Sequence, residues 1–133
     1  MTRRAEAALL VAAVALSAGG TALVTLGADE GITVDVVATP VAFGVAFGGL
    51  HLAIREWAAR AVGYLLPLVA ILAAVGWIEV FRIDRDLGRL QRGWLIGGAF
   101  IAVAVLYLLR QRGTELLRRY RYLFLFAALV LLM

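Results

Sequence analysis

Four stretches of this chain run for close to the width of a bilayer with no Asp, Glu or Arg. No other feature of the sequence constrains the fold as strongly. A helix crossing the hydrocarbon core needs about 20 mostly apolar residues. Residues 7–26 and 36–54 meet that requirement, the second with His51 as its one titratable group. Residues 61–78, prolonged to a helix end near 81, and residues 93–109 follow, both apolar runs uncharged. A last apolar run, 122–133, has 12 residues and reaches roughly 18 Å at about 1.5 Å per residue, short of the ~30 Å core. The expected fold is therefore all-α and integral to the membrane, with four transmembrane helices and a fifth that stops partway.

Composition agrees. Apolar residues make up 64% of the chain, against about 45–50% in soluble domains, and the mean hydropathy is +0.96. There is no cysteine, which excludes disulfides and thiolate metal sites. All 13 basic residues are arginine. The isoelectric point near 10.3 does not point to nucleic acid, because the arginines flank apolar spans. In that position they set topology and meet anionic headgroups.

Arg3 and Arg4 before an apolar run resemble the start of a signal peptide, with Leu16-Ser17-Ala18 as a weak cleavage candidate. The run continues to Leu26, well past the usual 7–15-residue apolar region, so an uncleaved anchor is expected. Orientation follows from the arginines of the short flanks. With the N-terminus cytoplasmic, that side carries Arg3, Arg4, Arg55, Arg60, Arg110, Arg112, Arg118, Arg119 and Arg121. The outer side carries Arg82, Arg85, Arg89 and Arg92, and the segment 27–35 has three acids and no arginine.

Several residues stand out within this frame. Gly44 and Gly48 on the second span, and Gly93 and Gly97 on the fourth, have the spacing that lets helix backbones approach closely. Packing within the chain is the expected use, ahead of a dimer interface. Pro40 after Thr39 suits a capped helix start, and Pro67 falls in the first two turns of the third span, where a mild kink is expected. His51 has no second titratable residue at its depth along the spans, which favours an interfacial histidine over a proton relay. Glu79 and Arg82, three apart, can pair on one helix face as an intramembrane or interfacial ion pair, beside Trp77 as an aromatic-belt residue. The outer segment 82–92 mixes Asp84 and Asp86 with four arginines and reads as a solvated loop. Segment 110–121 reads as a cytoplasmic loop against anionic headgroups. No catalytic residues, metal-ligand cluster or cofactor-binding motif can be assigned.

Four stretches carry a resemblance. His51-Leu52-Ala53-Ile54-Arg55 followed by Leu65-Leu66-Pro67-Leu68 resembles the "HLAxR…LLPL" opening of long-form members of the FtsW/RodA/SpoVE (SEDS) family. Gly76-Trp77-Ile78-Glu79-Val80-Phe81-Arg82-Ile83-Asp84 is similar to that family's "GLVMIYRLD", with Glu79 where the family has an apolar residue. Gln91, Trp94 and Gly98 then reproduce a Q-x-x-W-x-x-x-G signature, a structural one, and Arg118-Arg119-Tyr120-Arg121-Tyr122 leads into an apolar helix.

The resemblance implies an N-terminal fragment. Residues 1–60 would be an additional transmembrane hairpin, and residues 61–133 the start of a core of about ten helices. The implied parent is a peptidoglycan glycosyltransferase of the bacterial cytoplasmic membrane, polymerising lipid-linked disaccharide-peptide beside a class B penicillin-binding protein. Its catalytic aspartate would lie in an outer loop further along, so the fragment is expected to be inactive alone. Two other readings stand beside it. One is a small four-helix transporter in which Glu79 or His51 couples proton movement. The other is a structural subunit that packs through Gly44 and Gly48.

Overall fold

The computed structural model describes residues 3–28, 31–58 and 63–112, together with 122, 125, 126 and 129. Helices α1 (Arg3–Gly27), α2 (Val34–Trp57), α3 (Leu65–Ile83) and α4 (Arg85–Arg112) follow one another, and the described residues contain no strand. Each helix holds a segment long and apolar enough to cross a membrane, of 24, 24, 19 and 27 residues. At about 1.5 Å per residue the shortest reaches roughly 28 Å, close to the ~30 Å hydrocarbon core. α2 is rich in valine, a modest helix former in water. In lipid the backbone has no other partner than itself, and helix wins. Of the expected fifth span, Tyr122, Leu125, Phe126 and Leu129 are helical and exposed; the rest lies outside the described residues, as do Arg60 and most of the segment 110–121.

Around the bundle the order is α1, α2, α4, α3. Each helix packs on its two neighbours; α2 meets α3 only marginally across the diagonal, and α1 does not reach α4. The core is made of small and aromatic residues: Leu10 and Ala13 on α1, Phe43, Ala46 and Phe47 on α2, Ala70, Ala74, Trp77 and Phe81 on α3, and Ala99 on α4. Alanine at the crossings lets backbones come close where no hydrophobic drive separates helix from lipid. α1 adds a buried stripe at helical spacing, Ser17, Thr21 and Thr25. Each hydroxyl donates back to a carbonyl of its own helix: Ser17 to Val14, Thr21 to Ser17, and Thr25 to Thr21 and Ala22. The stripe is therefore polar in composition and satisfied in fact.

The starts of α2, α3 and α4 differ from the expected ones. α4 begins at Arg85, not Gly93, so 82–92 is not a loop: Asp84 alone links α3 to α4. Its backbone N–H closes α3 on the Val80 carbonyl at 2.9 Å. Its Oδ1 accepts the N–H groups of Asp86 (2.8 Å) and Leu87 (3.0 Å), capping α4. α2 begins at Val34 after Thr33, which leaves Thr39 buried and Pro40 inside the helix. There Pro40 withholds one N–H from the backbone ladder. α3 begins at Leu65, so Pro67 sits in the first turn, where its missing N–H has no partner to lose. Trp77 is core rather than belt, 1% exposed. It stacks on Phe81 at 4.6 Å between centroids, and its Nε1–H donates to the Gly88 carbonyl at 2.8 Å.

Among the described residues, a Cβ at Gly44, Gly48, Gly93 or Gly97 would meet nothing within 4 Å. The tight crossings are at Gly20, where a Cβ would overlap Ile78, and at Gly88, where it would lie 3.0 Å from the Phe81 Cα.

Candidate functional site

The bundle holds its polar chemistry at its two ends. At the end where α2 starts, the second residue of the helix, Asp35, turns inward, with its side chain 8% exposed. An unpaired carboxylate there would cost several kcal/mol. α4 supplies the compensation from two successive turns. Arg89 donates from Nε (3.1 Å) and Nη2 (3.0 Å) to Asp35 Oδ2. Arg92 donates from Nη1 to Asp35 Oδ1 at 2.9 Å and to Thr39 Oγ1 at 3.2 Å. Arg89 also reaches Asp86, one turn back on its own helix, at 3.1 Å. Arg89 is half exposed and Arg92 19% exposed, so the cluster grades from water into the bundle.

At the opposite end α1 is tied to α2. His51 Nδ1 and Glu6 Oε1 share a hydrogen bond at 3.0 Å, and both side chains are largely buried. His51 therefore has the titratable partner that the spacing of the spans did not suggest. Glu6 lies one turn inside α1, before the uncharged run begins, and packing brings the two levels together. On the same end Trp57 and Tyr107 tilt against each other at 5.5 Å, joining α2 to α4.

The expected Glu79–Arg82 pair forms, at 3.3 Å, with both side chains more than half exposed. Gln91 and Trp94 are exposed on α4, Trp94 at 71%, and Gly98 has open space around it. All three therefore lie off the packed seam. A groove of about 460 Å³ opens between the end of α1 (Leu23, Val24, Gly27, Ala28) and Arg82 and Arg85. Among the described residues no group of three or more His, Asp or Glu side chains could hold a metal ion.

The Asp35 cluster was missed because helix ends were set by the uncharged runs. Once α2 and α4 extend outward, Asp35 and Thr39 stand one turn apart on α2, as Arg89 and Arg92 do on α4. That paired spacing was the available signal.

This architecture, a helical bundle with charges gathered at its ends, can be set beside known proteins. The similarity is to RodA. The chain is 33% identical, over 98% of its length, to the peptidoglycan glycosyltransferase RodA of Mycobacterium bovis, and equally so to that of Mycobacterium tuberculosis. It spans 29% of the length of these relatives. No family profile matches the chain, and no solved structure does. The four spanning helices, with this partial likeness to a bacterial protein, support a multi-pass bacterial membrane protein.

Proposed function

We propose that this chain is the N-terminal membrane portion of a SEDS-type peptidoglycan glycosyltransferase and that it supplies scaffold rather than chemistry. The observation that carries the reading is the similarity to RodA along 98% of the chain. The division of labour follows from the polar groups. Those at both bundle ends are engaged with one another, Asp35 with Arg89 and Arg92 and Glu6 with His51, and among the described residues no paired carboxylates are arranged for acid–base work. On this reading the N-terminus is cytoplasmic and the Asp35 end faces outward. α1 and α2 are the additional hairpin of long-form members, and α3 and α4 open the core. The partners are the bilayer, the lipid-linked precursor and a class B penicillin-binding protein. The test is glycan polymerisation from lipid-linked disaccharide-peptide. The 133-residue chain alone should make no polymer, and the product of the frame read past Met133 should make it. Absence of polymer from the longer product in the presence of its partner would sink the reading.

A small proton-coupled transporter would need Glu79 inside the bundle or beside a water-filled path. Its carboxylate is instead exposed and paired with Arg82 on its own helix, and no observation favours that alternative.

A further inference from the structure

α4 is the longest helix, 28 residues and thus roughly 42 Å, well beyond the ~30 Å of a hydrocarbon core. Its surplus is not evenly placed. Arg85, Arg89 and Arg92 fall within the first eight residues, about 12 Å of helix, and the uncharged run follows. A helix built this way has a natural resting depth with its arginine turns drawn out to the headgroups and water. The bundle holds those turns against α2 instead, where Arg92 is 19% exposed and two hydrogen bonds from Arg89 and one from Arg92 converge on one carboxylate. That carboxylate sits on a different helix, 54 and 57 residues earlier in the chain.

We propose that Asp35 is the counter-charge that sets the depth of α4: it seats the arginine-bearing first turns against α2 and so fixes how far the α3–α4 hairpin sinks into the membrane. The corner between the two helices is too short to absorb a change, since Asp84 alone joins them and Trp77 is hydrogen-bonded across to Gly88. A shift of α4 therefore carries α3 with it. Asp35 has a competing local role, because a carboxylate in the first turn of α2 also favours that helix's own positive end. The two roles predict opposite results when the arginines are removed.

The chain has no cysteine, so Leu90→Cys, at an exposed position between Arg89 and Arg92, is a single reporter. In proteoliposomes of the full chain, with a membrane-impermeant maleimide on both faces, the rate of modification reads how far those turns stand out. Asp35→Asn should raise the rate several-fold. Asp35→Asn combined with Arg89→Gln and Arg92→Gln should return it to the parental value, because turns without charge no longer seek water. An unchanged rate in the single variant, or a rate still raised in the triple one, overturns the proposal. If Asp35→Asn yields no folded protein, recovery of helical protein in the triple variant supports the counter-charge role, and failure of that variant also overturns it.

Discussion

Two glycines of α4 have opposite duties, and a methyl group added to each should show it. At Gly88 a Cβ would press on the Phe81 backbone at 3.0 Å, and overpacking of this kind costs about 1–3 kcal/mol. At Gly98 no described residue lies within 4 Å, so Gly98→Ala gains up to about 1 kcal/mol in helix propensity. Thermal unfolding followed by circular dichroism in detergent should place Gly88→Ala below the parent chain and Gly98→Ala at or above it. Glu79→Gln should change stability by no more than about 0.5 kcal/mol, as expected of an exposed i, i+3 pair. A larger loss would place that carboxylate in a network it does not have here.

At the scale of the helices, the corner between α3 and α4 rests on one capping side chain. Asp84→Ala removes the acceptor of two N–H groups and should destabilise by about 1 kcal/mol. The amides of Asp86 and Leu87 should then exchange with solvent faster than those of the uncharged run. Equal protection along α4 in the variant would contradict the cap. The same corner shows what the sequence could not convey. The uncharged runs located all four helices, since lipid admits no other backbone solution for them. Their ends were set by capping and by partners on other helices. Asp84, Trp77 and Asp35 each extended a helix over charged residues that read as loop in isolation. A Gly-x-x-x-Gly spacing marks a backbone that can be approached, and among the described residues the tight contacts at glycine occur at Gly20 and Gly88.

For the whole molecule, the ring order α1, α2, α4, α3 follows from three ties: His51–Glu6, Asp35–Arg89/Arg92 and Trp77–Gly88. Of these pairings only Asp35–Arg89/Arg92 left a trace in the sequence, the one-turn spacing on each helix; the other two depend on how the helices pack. Orientation can be read with single cysteines. Ile32→Cys, exposed between α1 and α2, should react with an impermeant reagent added outside intact cells, and Tyr64→Cys, exposed before α3, should react only after lysis. The reverse pattern would invert the topology. The central claim is that these four helices are the scaffold of a larger glycosyltransferase, in keeping with relatives of which the chain spans 29%. The mass of the polypeptide that carries this sequence in its native membrane, detected with an antibody to the α1–α2 connection, tests it most directly. A scaffold role predicts a product several times the 14.3 kDa of this chain; a stable native product of 14.3 kDa would contradict it.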